Sequence, residues 1–146
     1  MSSGDEKVKL RDRLPEDSAR EALWSLDLEV TKLDPPAGEV FNHLDFSVEA
    51  PDGEHIGMCG LYNLTGDEVQ LGIRIGRLYW NKGYGTDAVN LLACYAFFVL
   101  NVRRVWLKVL SHNARAIRCY EKCGFVNVGR LSLSGYDFVV MEIRRT

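Results

Sequence analysis

Residues 68–100 change hydrophobic period within a few positions, and that change restricts the possible folds more than anything else in the chain. From Glu68 to Ile75 the residues alternate strictly. Val69, Leu71, Ile73 and Ile75 face one way, and Glu68, Gln70, Gly72 and Arg74 the other. Period two marks a strand with two different faces. From Thr86 to about Leu100 the polar residues are almost confined to Thr86, Asp87 and Asn90, which predicts a long helix buried on most sides. Between them, Trp80-Asn81-Lys82-Gly83-Tyr84-Gly85-Thr86 sets two glycines one residue apart. Backbone without Cβ atoms takes positive φ at little cost. A turn of that kind at a helix start aims several N–H groups at one point. Those donors have no partner inside the helix, and the helix dipole adds positive potential. The expected result is a socket for phosphate or pyrophosphate, formed by Gly83, Tyr84, Gly85 and Thr86 with Asn81 and Lys82 beside them.

The flanking sequence supplies the other elements of a sheet. Val8 to Leu14 reads as a strand, and Leu14-Pro15-Glu16-Asp17 as a helix start followed by Ala19, Leu23 and Leu26 at helical spacing. Asp34-Pro35-Pro36-Ala37-Gly38 is a loop. Leu44 to Glu49 alternates. His55 to Asn63 is apolar with Gly57 and Gly60 inside it, which predicts a bulged or closely approached strand. Arg104 to Leu110 is a strand, and Ala114 to about Cys123 a helix with Asn113 as its N-cap and Gly124 as its stop. Phe125 to Leu133 and Tyr136 to Ile143 are two closing strands around Ser134-Gly135. Strands first, then strand alternating with helix, predict one mixed α/β sheet. The 146 residues suit a single domain, residues 1–146, with 1–7 frayed.

Bulk properties exclude several function classes. A net charge of −2 provides no basic field for nucleic acid. The longest apolar run, Leu91 to Leu100, has about half of the ~20 residues that a membrane helix needs, and Met1 to Arg20 lacks the apolar core of a secretion signal, so a cytoplasmic location is expected. Cys59, Cys94, Cys119 and Cys123 form no CxxC, and no histidine stands at ligand spacing from them, so no metal is expected.

Two phosphate-binding classes fail on context. There is no GxxxxGK[ST] string for a nucleotide triphosphatase. Gly83-Tyr84-Gly85-Thr86-Asp87-Ala88 has the form G-x-G-x-x-A of a dinucleotide site, yet the preceding strand ends near Ile75. About 20 positions further on lies Trp106-Leu107-Lys108, with no acid to hold a ribose. A third pattern fits. Trp80 to Gly85 is similar to [QR]-x-x-G-x-[GA], and Asn113, Ala116, Tyr120, Gly124 and Phe125 match N-x-x-A-x-x-x-Y-x-x-x-G-F. Together and in this order they resemble the GNAT superfamily of acetyl-CoA-dependent N-acetyltransferases. The wording of Tyr79 to Ala88, with Phe97 to Asn101, resembles the branch that holds ribosomal-protein N-terminal acetyltransferases and spermidine acetyltransferases.

The resemblance implies a GNAT acyltransferase fold, a mixed and mostly antiparallel central sheet flanked by helices. It implies acetyl-CoA as co-substrate, and a homodimer as a family expectation. Ile73, Arg74 and Ile75 match the strand whose backbone pairs with pantetheine, and Asn113 matches a contact to that arm or to the substrate. Arg115, with Arg77 and Arg118, is in reach of the adenosine phosphate. Trp80 stands where the signature has Gln or Arg, which removes a side-chain donor near the pyrophosphate.

Tyr120 matches the general acid, its phenol protonated at neutral pH. Many relatives have Glu where this chain has Gln70, which cannot accept a proton. Glu68, two residues earlier on the same face, is the candidate base, and Gln70 a substrate contact. An α-amine of pKa ~7.7–8.0 needs less help from a base than a polyamine near 10.4. The expected acceptor is therefore a primary amine, with a protein N-terminus slightly favoured and spermidine or another small amine as the alternative. The rival from another class is an acetyl-CoA-binding regulatory module without transfer. The acceptor loops are expected at Leu26 to Phe41 and Ser132 to Asp137, and Glu16, Asp17, Glu21, Asp27 and Glu29 cluster near the first.

Overall fold

The computed structural model describes residues 8–25 and 43–145. Residues 1–7 and the whole first acceptor loop, Leu26 to Phe41, with Asp27, Glu29 and the Pro35-Pro36 turn, lie outside the described residues. Among the described residues, seven strands form one sheet: β1 (Lys9–Asp12), β2 (Leu44–Glu49), β3 (His55–Thr65), β4 (Glu68–Ile75), β5 (Arg104–Leu110), β6 (Val126–Leu133) and β7 (Tyr136–Arg144). Their spatial order is β1-β2-β3-β4-β5-β7-β6. Every neighbouring pair is antiparallel except β4 and β5, which run parallel. The helices are α1 (Asp17–Ser25), α2 (Tyr84–Phe98) and α3 (Ala114–Lys122), with a 3-10 turn at Arg77–Tyr79. This is the mixed, mostly antiparallel GNAT arrangement that the sequence resemblance implied.

The alternation in β4 sorts the two sheet faces. Val69, Leu71 and Ile75 are buried with Ala88, Val89, Leu92 and Ala96 of α2, and this apolar layer forms the core. Phe46 on β2 reaches the same layer, its ring 5.8 Å from that of Tyr95. A parallel pair cannot be joined by a tight turn, so α2 has to serve as the crossover from β4 to β5. It starts at Tyr84, two residues earlier than its polarity pattern indicated. Gly83 at φ 84 sets the start, and the first helical bond runs from Asp87 N to Gly83 O. It ends at Phe98 rather than Leu100, where the amides of Val99 and Leu100 both bond to Tyr95 O and Asn101 takes φ 59.

The opposite face is polar. Ser47, next to Phe46 in sequence, points to the other side of β2 and meets α1 there. The apolar spacing of α1 does not decide its docking: Ala19 is exposed and Leu23 is 66% exposed. Asp17, Glu21 and Trp24 dock instead, because the facing sheet offers polar partners. Asp17 accepts two bonds from Arg11 (2.9 Å each), one from Ser47 Oγ (2.7 Å) and one from Leu14 N (2.8 Å). Arg11 also pairs with Glu49, and Arg13 with Glu21. His55 Nε2 lies 3.2 Å from Glu21 Oε2. Trp24 packs on the His55 ring, and a Cβ at Gly76 would lie 2.7 Å from its Nε1. The strand β3 is both bulged and closely approached. Its register with β2 shifts between Val48 and Glu49, where Ile56, next to Gly57, has no partner on β2. A Cβ at Gly72 on β4 would lie 2.8 Å from the ring of Tyr62, which lies against Gly60 as well. A second register shift, against β4, falls between Tyr62 and Thr65.

The Arg11 guanidinium, above all, holds the Asp17 carboxyl well below the usual carboxylate range. A lowered folded-state pKa stabilises the fold above the unfolded value near ~3.9, and that contribution is lost as pH falls below it. The expected outcome for Asp17→Asn is a loss of about 3 kcal/mol in urea unfolding at pH 7. The gap from the parent protein should narrow steadily once the pH drops below ~4.

Candidate active site

β4 and β5 hold each other over only three residue pairs: Glu68 with Arg104, Val69 with Val105 and Gln70 with Trp106. Beyond Gln70 the strands part. Leu71 to Ile75 remain paired to β3 on one edge and have no β5 partner on the other. Unpaired backbone in a sheet interior has to find donors and acceptors elsewhere. The gap therefore offers Ile73, Arg74 and Ile75 to an extended polar chain. The Ile75 carbonyl is already used, accepting a bond from Trp80 Nε1 at 2.7 Å. The Arg74 side chain is half-buried and interacts with Glu21, so only its backbone is available on this side.

The glycine turn stands at the mouth of the gap. Asn81 (φ 61) and Gly83 (φ 84) both take left-handed backbone, and no side chain caps α2. The N–H groups of Tyr84, Gly85 and Thr86 are thus left without helical partners, at the positive end of a 15-residue helix. Across from them runs α3. A cleft of about 230 Å³ lies between, lined by Trp80, Asn81, Gly83, Gly85 and Thr86 from the turn side. Arg115, Arg118, Cys119 and Lys122 line it from α3, and Ile75 and Tyr79 close it. Lys82 is exposed on the turn; Arg77, exposed on the 3-10 turn, does not line the cleft.

Trp80 replaces the donor that its substitution removed. Its ring is a platform for the Arg115 guanidinium, 3.9 Å from the ring centroid. Arg115 is half-buried, and its Nε is a buried polar atom without a hydrogen-bond partner among the described residues. A buried guanidinium N–H left unpaired is costly. The sequence marked Arg115 and Trp80 separately; nothing in their spacing of 35 positions indicated that one seats the other.

The Asn113–Phe125 signature has a physical basis in the capping of α3. Asn113 Oδ1 accepts from Ala116 N (3.2 Å), as an N-cap. At the other end Gly124 takes φ 95, its amide bonds to Glu121 O and the Phe125 amide bonds to Tyr120 O. This is a Schellman stop, which an apolar contact between the residues at its two ends frequently accompanies. Tyr120 and Phe125 are those residues, with ring centroids 6.0 Å apart. The spacing Tyr-x-x-x-Gly-Phe therefore fixes the tyrosine. Tyr120 is 7% exposed, and burial pushes its phenol up, so it stays protonated. Its hydroxyl has no hydrogen-bond partner among the described residues and keeps some access to solvent.

At the apex of the gap, Gln70 Oε1 accepts from Asn63 Nδ2 at 2.8 Å, a contact made by the left-handed Asn63 (φ 56) at the register shift in β3. Glu68 lies at the paired end of β4. Arg104 reaches it at 3.4 Å while bonding Glu142 at 2.6 Å. No cluster of three His, Cys, Asp or Glu side chains fit to hold a metal occurs among the described residues.

Split parallel strands, with an uncapped glycine-headed helix at their mouth, define an α/β protein built to hold a phosphate-bearing ligand against an open strand edge. The chain belongs to the acetyltransferase (GNAT) domain family, whose profile matches residues 8–126. It is 32% identical over 88 residues to a spermidine N(1)-acetyltransferase of Vibrio cholerae, covering 59% of this chain and 51% of that protein. It is 38% identical over 88 residues to a spermidine N(1)-acetyltransferase of Escherichia coli, covering 59% and 47%. The chain thus spans about half the length of the curated relatives it matches. The fold matches that of the V. cholerae spermidine N-acetyltransferase in complex with CoA and spermine, with TM-score 0.79, 23% identity and coverage of 94% and 95%. These relatives are named for spermidine, one of the two activities in the branch that Tyr79 to Ala88 resembles, and not for ribosomal-protein N-termini.

Gly124→Ala forces a Cβ into left-handed backbone and sets it 3.3 Å from Ile143 Cδ1. The expected loss is about 1–2 kcal/mol in urea unfolding, with Gly129→Ala, where a Cβ meets open space, as the near-neutral control.

Proposed function

We propose that this chain is an acetyl-CoA-dependent N-acetyltransferase whose acceptor is a small aliphatic polyamine. The observation that carries the reading is the juxtaposition of an open β4 edge, an uncapped α2 start and a half-buried arginine with an orphaned Nε in one cleft. A coenzyme with a pyrophosphate at one end and a polar, extended arm fits that set in order. Tyr84, Gly85 and Thr86 donate to the pyrophosphate, with Lys82, Arg115 and Arg118 supplying charge. Arg115 and Arg118 also stand closest to an adenosine phosphate. The arm runs along Ile73 to Ile75 and brings the thioester toward Gln70 and Tyr120.

The amine then attacks the thioester carbonyl. Tyr120 protonates the departing thiolate, a role that suits a phenol kept neutral by burial. Glu68 takes the amine proton through water, and the Gln70 amide, anchored by Asn63, orients the acceptor. The polyamine reading is supported by the spermidine relatives and by the charge of the acceptor face. Glu68 and Asp45, both partly exposed carboxylates, lie on the face of β4 and β2 that carries Gln70. Asp45 faces Tyr62, whose phenol is pushed up chiefly by burial and hydrogen-bonds that carboxylate. Carboxylates on this face complement a second ammonium group of a polyamine.

A protein α-amine is the second reading. The observation favouring it is that Gln70 holds the position of the usual base and Glu68 is paired with Arg104. The two separate in a thiol-release assay across pH. With no strong base, a polyamine near pKa 10.4 should give kcat/KM that rises about tenfold per unit from pH 7 to 9. A peptide α-amine should level off above about pH 8. The stronger acceptor in a screen of spermidine, spermine and N-terminal peptides decides between them. Acetyl-CoA binding with no thiol release on any amine would point to the regulatory module. Tyr120→Phe should lower kcat by about 100-fold with CoA affinity unchanged. Gly85→Glu should weaken CoA binding by at least about tenfold by calorimetry, with the circular dichroism spectrum retained. A Cβ fits there, 3.6 Å from Cys119 Sγ, so the loss reports the carboxylate side chain set into the cleft and not a displaced backbone.

A further inference from the structure

The cleft holds a pair of thiols that the transfer chemistry does not use. Cys119 lines it from α3, and its Sγ lies 3.5 Å from Thr86 Oγ1 at the start of α2. Cys123 is one helical turn further along α3, its Sγ 3.6 Å from Thr86 O and in hydrogen-bonding contact with Cys119. The two thiols are not equivalent. Hydrogen bonds from Cys123 and Thr86, with Arg115 and Lys122 nearby, pull the Cys119 thiol down. The same contact to Cys119, then burial, pushes Cys123 up, so Cys119 is the sulfur that ionises. The other cysteines differ in kind. Cys59 is 3% exposed, and burial pushes it up to about 12. Cys94 is exposed on α2 and does not line the cleft.

We propose that Cys119 is a modification site for small anionic disulfides, and that its mixed disulfide and the coenzyme exclude one another from the cleft. The inference rests on the reading of this cleft as the pyrophosphate site. The Cys119 thiolate attacks one sulfur of the incoming disulfide. A new S–S bond forms to Cys119, the old one breaks, and the other half leaves as a thiolate with the electron pair. Cys119 is oxidised and the leaving half reduced, and an external thiol reverses the exchange. Arg115, Arg118 and Lys122 line the same cleft and select a negatively charged reagent. Once attached, the adduct stands between α2 and α3, in front of the Gly85 and Thr86 amides, and sets its own negative charge where the pyrophosphate has to sit.

The test uses oxidised glutathione on the intact protein, with peptide mapping by mass spectrometry and calorimetry of the coenzyme as acetyl-CoA, which has no free thiol to reverse the exchange. Expected results are a mixed disulfide at Cys119 and a loss of acetyl-CoA affinity of at least about tenfold that dithiothreitol restores. Acetyl-CoA at about ten times its Kd should slow labelling of Cys119 by about tenfold and leave Cys94 unchanged. Cystamine, a cationic disulfide, should label Cys119 more slowly than oxidised glutathione relative to their rates at Cys94. In Cys119→Ser the ratio of treated to untreated acetyl-CoA affinity should be one, whatever its starting affinity. Labelling of Cys94 without Cys119, or a Cys119 adduct that binds acetyl-CoA unchanged, overturns the proposal. The Gly85→Glu variant tells which reading has failed. If it loses CoA binding while the Cys119 adduct does not, the cleft reading stands and the thiol inference falls. If neither affects binding, the coenzyme sits elsewhere and both fall.

Discussion

Three residue pairs between β4 and β5 decide what this molecule can do. A parallel pair needs a long crossover, and α2, buried against Val69, Leu71 and Ile75, is that crossover. Had the two strands stayed in register to Ile75, the sheet would have been closed and the start of α2 would have faced a finished edge. Because they part after Gln70, backbone that must be hydrogen-bonded is left open in the middle of the sheet. The start of α2 is delivered to the mouth of that opening by the Gly76–Gly83 segment. The phosphate socket and the open strand edge become one continuous surface only through that geometry.

The two helices that border the cleft are capped in opposite ways. α3 is closed at both ends, by Asn113 at its start and by the Gly124 stop after it. That closure makes it a rigid carrier, with Tyr120 held by Phe125 toward the core and Arg115, Arg118 and Cys119 toward the cleft. α2 is left without a side-chain cap at Gly83. Its first amides, which in an ordinary helix would be satisfied locally, remain donors for something else. A stabilising feature is thus omitted at the one helix start that faces the site.

The two faces of the sheet are stabilised differently. Toward α2 the contact is apolar and insensitive to pH. Toward α1 it is a buried network in which Arg11 bridges Asp17 and Glu49, and Arg13 and His55 meet Glu21. Asp17, Glu21 and His55 are its buried members, so loss of a partner that pairs with one of them leaves a buried charge uncompensated. It places the polar face of β4, with Gln70, beside a helix whose exposed side carries Ala19 and Leu23.

Local signals in the sequence were sufficient for most of the elements. Strict alternation set the bounds of β4, and Asn113 and Gly124 marked the ends of α3. The glycine turn was legible as an anion socket because positive φ and an uncapped helix start are local properties. The reading failed where partners lie far apart in the chain. The apolar spacing of α1 pointed to Ala19 and Leu23, yet Arg11, Arg13, Ser47 and His55 made its acidic side the buried one. Trp80 read as the loss of a donor until α3 set Arg115 on its ring. By itself, then, the sequence determined the strand periods, the helix ends and the unsatisfied amides at Gly83 to Thr86, all fixed by neighbours a few residues away. Only the tertiary structure decided where β4 and β5 part, which side of α1 is buried, and that Trp80, Arg115 and Cys119 share one cleft. Apart from Arg11 and Arg13, which lie six and eight residues from their partners on α1, those contacts span 30 residues or more, and no local preference encodes them.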